Sequence, residues 1–190
     1  MDRRRRPEQL TLVLLAGLVS CAEPAGDPAD RTPGDYPLVT PAAWTATPTA
    51  SDPFATDTTE GSGCPSTTFG AEMFGAEEVF SVNGAGCAWL TVQQPLAHEV
   101  RPGDQLRVRL WNFSLTGPAG SAAHIALHAG DTPLWGVEVP IPAPSHLYVD
   151  TVVVNEALPA GTPVYFHVDN HGSNSYSLFE VTLTVPPPGD

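Results

Sequence analysis

An all-β fold, an antiparallel β-sandwich of about eight strands, is what this chain predicts, and three observations carry the prediction. Residues 61–186 contain short runs in which apolar and polar residues alternate: 78–82, 87–92, 105–113, 123–128, 134–139, 147–154, 164–169 and 176–185. Gly, Pro, Asn and Asp separate the runs. Two phrases, Arg101-Pro102-Gly103-Asp104 and Leu158-Pro159-Ala160-Gly161-Thr162, each place a turn directly before a strand. No stretch carries apolar residues at the helical period, which disfavours a parallel α/β sheet with crossover helices.

In chain order the first element is a leader. Arg3, Arg4, Arg5 and Arg6 form a positive start, residues 10–19 form a mostly aliphatic run, and small Ser20 precedes Cys21. This is the secretory pattern. The apolar run is too short for a permanent membrane helix, which needs about 20 residues. Leu18-Val19-Ser20-Cys21, in this position, resembles the lipobox of bacterial lipoproteins. The resemblance implies a signal peptide over residues 1–20 and a thioether-linked diacylglycerol on Cys21. It also implies a further acyl chain, such as palmitate, on the new amino terminus. Two or more acyl chains hold a protein stably on a membrane, at about 0.8 kcal/mol per buried CH₂. The place implied is the bacterial cell envelope, and Ala22 after the cysteine leans towards the outer membrane.

Residues 21–60 are rich in Pro, Ala, Thr and Asp and read as a disordered tether. Its reach lies between roughly 35 Å as a coil and roughly 120 Å in extended polyproline geometry. Trp44 and Phe54 interrupt its polarity and read as incidentally exposed, the alternatives being docking onto the module or short recognition anchors. Residues 61–186 are the sandwich and 187–190 a tail. Its runs and turns loosely resemble jelly-roll and pre-peptidase C-terminal-type modules of secreted bacterial proteins, which implies architecture and no catalytic motif.

Charge narrows the partners. The chain has 21 acidic and 8 basic residues; the leader holds Asp2, Glu8 and four arginines, leaving 19 against 4, with no lysine anywhere. No basic stripe exists to neutralise phosphates, so nucleic acid is excluded as a partner. An anionic membrane surface would repel the chain.

Cys64 and Cys87 are the thiols left once Cys21 is acylated, and an even pair in an exported chain predicts a disulfide. It would fasten the weakly patterned residues 63–75 to the strand carrying Trp89. Candidate ligand contacts lie on two runs. In 105–113, Leu106, Val108 and Leu110 alternate with Arg107, Arg109 and Trp111; in 164–169, Val164, Phe166 and Val168 alternate with Tyr165, His167 and Asp169. A flat aromatic ring flanked by planar hydrogen-bonding groups suits the C–H face of a sugar. The opposing possibility is that loops cover these rings and local carboxylates pair the arginines, and a shared site requires the two strands to be neighbours.

His124 and His128, like His167 and His171, lie four apart. On a strand that is about 13 Å, too far for one metal ion to bridge. Only a cross-strand set, His124 or His128 with His167, could bind one, so no metal and no cofactor is expected. No nucleophile elbow, zinc-protease helix or phosphate-cradling loop is present. The expectation is a non-catalytic, lipid-anchored binding module, with carbohydrate as candidate ligand and Trp111, Arg107, Arg109, Tyr165 and His167 as contacts. The alternatives are a structural or assembly lipoprotein that meets another envelope protein, and a histidine-based metal-binding lipoprotein.

Overall fold

The computed structural model describes residues 31–56, 63–169, 174–185 and 187. Among them the chain forms eleven strands: β1 (Gly34–Pro37), β2 (Thr45–Ala46), β3 (Phe69–Phe74), β4 (Glu77–Asn83), β5 (Trp89–Pro95), β6 (Gln105–Asn112), β7 (Ala122–Ala129), β8 (Thr132–Pro140), β9 (His146–Val153), β10 (Pro163–Asp169) and β11 (Ser175–Val185). All pairings between these strands are antiparallel. One sheet has the order β3-β4-β11-β6-β9, with β1 also paired to β11; the other has the order β2-β5-β10-β7-β8.

The eight predicted runs are β4 to β11. Counted one to eight along the chain, they take the orders 1-8-3-6 and 2-7-4-5, which is the double Greek key of a jelly roll. Alternation is what folds them. Leu106, Val108 and Leu110 of β6 face Val164, Phe166 and Val168 of β10 across a core that leaves each of them 1% exposed or less. Both predicted turns close before their strands. Asp104 N–H donates to Arg101 C=O at 3.0 Å and Thr162 N–H to Pro159 C=O at 3.1 Å. Gly103 (φ 93°) and Gly161 (φ 87°) hold the left-handed position that a side chain would strain.

Three strands have no counterpart in the alternation. β3 lacks a clean period of two and forms because Gly75 (φ 66°) folds it back onto β4 as a hairpin. β1 and β2 lie inside the stretch predicted to be a tether. The expected boundary at residue 60 is therefore corrected: residues 31–56 belong to the sandwich. Leu38 is fully buried, its N–H donating to Val181 C=O at 2.9 Å. Buried Gln94 grips Thr40 from both sides, accepting from its N–H at 2.9 Å and donating to its C=O at 3.1 Å. Trp44, 7% exposed, packs its ring 5.6 Å from Phe80 and 6.2 Å from Phe166. Phe54 is 2% exposed. Trp44 and Phe54 are thus buried and not incidentally exposed. Each such apolar side chain contributes about 1.5–3 kcal/mol, which outweighs the disordering tendency of the prolines around it.

Cys64 and Cys87 form the expected disulfide (S–S 1.98 Å). It secures residues 63–64 beside β5, where Cys64 N–H donates to Trp89 C=O at 2.9 Å and Gly63 bridges Trp89. A Cβ on Gly63 would come within 3.2 Å of the Trp89 ring, so glycine is what allows that approach. The enclosed loop, 23 residues in sequence separation, corresponds to about 3 kcal/mol of chain-entropy stabilisation. Cys21 and His171 lie outside the described residues. No helix among those described is long and apolar enough to cross a membrane.

Candidate functional site

The five predicted contact residues divide between the two outer faces of the sandwich. Trp111, Arg109 and Arg107 lie on the outer face of the six-stranded sheet, on β6. Tyr165 and His167 lie on the outer face of the five-stranded sheet, on β10. Alternation correctly sends each set away from the core, but β6 and β10 are in different layers, so the outward directions are opposite. A site shared by all five does not exist.

The β10 face is covered. Phe54, at the end of the N-terminal segment, stacks on His167 with ring centroids 4.3 Å apart and planes at 15°; His128 is 4.5 Å away and His124 6.1 Å. Tyr165 and Ala126 complete this small buried cluster. His167 is fully buried, and its Nδ1 shares a 2.8 Å hydrogen bond with the Thr91 hydroxyl. Its Nε2 has no hydrogen-bond partner among the described residues. Burial, reinforced by His124 and His128, pushes the His167 pKa down to about 3, so the ring is neutral at physiological pH. The register does bring the histidines together, with His124 opposite Asp169, His128 opposite Tyr165 and His167 between them. A phenyl ring packs against them, and among the described residues no group of three or more His, Cys, Asp or Glu side chains is placed to hold a metal ion.

The opposite face is open. One row of the register runs Gly70, Ser81, Ser177, Trp111 and Leu147 across β3, β4, β11, β6 and β9. The neighbouring row brings Asn83 beside Ser175, and Phe113 N–H donates to Ser175 C=O at 3.0 Å. Small side chains in the middle of both rows leave a groove of about 460 Å³, with Phe113 and Glu72 among its walls. The Ser81 and Ser177 hydroxyls lie 3.0 Å apart on its floor. Phe113, 42% exposed, stands edge-on to Trp111 at 6.2 Å and 81°. Phe74 extends the aromatic chain, 6.3 Å from Phe113 and 5.2 Å from Phe179.

A bulge completes the surface. β11 shifts register between Leu178 and Glu180, both Leu178 and Val181 remain buried, and the extra residue leaves Phe179 and Glu180 together outside. Phe179 lies under the Arg109 guanidinium, 5.1 Å from its carbon to the ring centroid. Glu180 pairs with Arg107 and stands 3.6 Å from Arg109, which also bonds Glu77 at 3.1 Å. The arginines are therefore engaged with local carboxylates, the outcome weighed against their role as contacts. Phe113, Glu72, Ser81 and Ser177 line the groove, and sequence reasoning named none of them as contacts. Phe113, the last residue of a run that already placed Trp111 outward, was the one with a signal.

No family model matches the chain, and no curated protein matches it. Among solved structures it is similar to an arabinose-bound GH51 α-L-arabinofuranosidase (TM-score 0.44, 9% identity, 78% of this chain and 24% of that one). It is also similar to TmCBM27, a carbohydrate-binding module that recognises mannan (TM-score 0.43, 8% identity, 79% and 94%). A third is the K3 adhesin domain of Lys-gingipain from Porphyromonas gingivalis (TM-score 0.41, 18% identity, 76% and 93%). The chain spans about a quarter of the arabinofuranosidase's length. The β-sandwich itself rests on the strand pairings above.

Proposed function

We propose that this protein is a lipid-anchored, extracytoplasmic module that binds carbohydrate without transforming it. The observation that carries the reading is the groove on the six-stranded sheet, with its floor of hydroxyls and the exposed Phe113 ring in its wall. Such a surface offers a sugar both of its needs at once. Ring faces receive the C–H groups that water solvates poorly, and fixed hydroxyl and amide groups replace the water lost by the sugar's own hydroxyls. Trp111, expected as a contact, serves instead as the edge-on support of Phe113; Tyr165 and His167 drop out because Phe54 covers them.

Phe113→Ala is expected to weaken binding to a cognate polysaccharide by about tenfold or more, the loss of about one ring contact. The far-ultraviolet circular dichroism should not change, because the ring is exposed. Affinity electrophoresis against a panel of soluble polysaccharides checks this, and wild-type binding that survives both Phe113→Ala and Trp111→Ala removes the groove from the account.

The anchor is supported by the leader and by Leu18-Val19-Ser20-Cys21. The wild-type chain should require detergent for release from membranes, and its amino-terminal peptide should carry the mass of a diacylglycerol thioether on Cys21. Cys21→Ser should leave the protein in the aqueous fraction. A bare Cys21 sulfur in the native protein ends this part of the proposal.

One observation favours a second reading, contact with another envelope protein. Edge strand β9 exposes Leu147 (39%), Val149 (55%) and Val153 (56%) in alternation, while its one charge, Asp150, is turned to the other face, where it accepts from Trp135 Nε1 at 2.8 Å.

A further inference from the structure

We infer that the groove selects saccharides without negative charge and that Glu72 is its specificity-determining residue. The inference rests on the sugar-binding reading of the same groove and goes on to the class of sugar. Its polar lining consists of hydroxyls, the Asn83 amide and one carboxylate, Glu72, with no arginine and no histidine. Recognition of a uronate, sulfate or phosphate normally recruits a cation, Arg above all, because a planar guanidinium returns two charge-assisted hydrogen bonds for each oxyanion.

The described residues offer no such cation without breaking an ion pair. The chain contains no lysine. Every arginine among the described residues is already bonded to a carboxylate: Arg31 to Asp104 at 2.8 Å, Arg101 to Glu99 at 3.1 Å, Arg107 to Glu180, and Arg109 to Glu77 at 3.1 Å. The two arginines nearest the groove stand on its own sheet, so a glycan anion could reach them only by displacing Glu180 or Glu77. Displacing an exposed ion pair costs little, about 1 kcal/mol or less. The displaced carboxylate would remain beside the incoming anion, however, and Glu72 would oppose it from the groove wall. The field of the whole chain, formally −13, acts in the same direction.

An uncharged sugar meets the opposite situation. A carboxylate accepts hydrogen bonds from two neighbouring hydroxyls at once, and such bonds are roughly twice as strong as those between neutral groups. Glu72 sits on β3, opposite Val79 of β4, at the groove wall, where that pair of acceptors is available. Asn83 uses its Oδ1 to accept from Ala85 N–H at 3.0 Å, which leaves its NH₂ as the donor on that side. The groove thus presents acceptors at Glu72, a donor at Asn83 and hydroxyls between them.

The test uses the full chain in a polyoxyethylene detergent, which carries no sugar. Affinity electrophoresis at low salt compares galactomannan, arabinan and β-glucan with polygalacturonate and alginate. At least one uncharged polymer should retard the protein, and the polyuronates should bind about a hundredfold more weakly or not at all. Glu72→Gln should weaken the uncharged polymer by about tenfold while leaving the fold intact by circular dichroism. Glu72→Arg should give measurable retardation by polygalacturonate. Polyuronate binding by the wild type as tight as any uncharged polymer overturns the selectivity and leaves sugar binding standing. Unchanged binding by Glu72→Gln overturns the role of the carboxylate. No retardation by any polymer defeats the sugar-binding reading itself, and the inference with it.

Discussion

Replacing Trp44 by alanine is expected to lower the unfolding free energy by about 3–5 kcal/mol, the cost of emptying a buried indole site. Trp44 is separated in sequence from every ring it touches, but it lies against Phe80 of β4 and Phe166 of β10, one from each sheet. It therefore ties the two layers together. With Leu38 fully buried and Thr40 gripped by Gln94, the segment behaves as part of the core. Urea unfolding followed by circular dichroism measures the effect. A change below about 0.5 kcal/mol, the range of surface substitutions, would mean that residues 31–56 can leave the sandwich without unfolding it.

Acid is expected to produce the second large effect, through His167. Its folded pKa is about 3 against an unfolded value of 6.5, because burial first, and His124 and His128 next, disfavour the charged ring. Between those values the unfolded chain binds a proton that the folded chain refuses. The contribution is therefore fully present above pH 6.5 and is lost as pH falls towards 3, at about 1.4 kcal/mol per unit. From pH 7 to pH 4.5 the loss from this residue is about 3 kcal/mol. His167→Gln should flatten that part of the profile relative to wild type, although it costs stability at pH 7 by disturbing Phe54 and Thr91. Parallel pH profiles of the urea midpoint for wild type and variant would refute the assignment. The groups that face His167, namely Thr91, His124, His128 and the Phe54 ring, place the effect on the five-stranded sheet. The sugar binding proposed for the other sheet should be lost only as the whole domain unfolds.

The groove and the covered face explain why the candidate site was only partly legible. Residue alternation correctly sent Trp111 and Tyr165 outward, because a strand's side chains have a period of two whatever it pairs with. The floor of the groove, Gly70, Ser81 and Ser177, has no local signature. Its members are small residues on three strands; the β3–β4 hairpin brings Gly70 to Ser81, but only pairing across 96 residues brings Ser177 beside them. The same holds for Phe54. Its neighbours in sequence are Pro, Ala, Asp and Thr, which argue for solvent, and its burial is decided by an aromatic and imidazole surface that β7 and β10 assemble elsewhere.

What the sequence determined by itself is everything that depends on short-range pattern. That includes the eight jelly-roll strands to within one or two residues at nearly every end, the glycine turns before β6 and β10, and the pairing expected of Cys64 and Cys87. Alternation, turn chemistry and cysteine count are local properties, and each has few physical solutions. Tertiary structure alone decided which strands share a sheet, which outward face stays open, and where the sandwich begins. Those depend on the free energy of contacts between distant segments, and no window of sequence contains both partners.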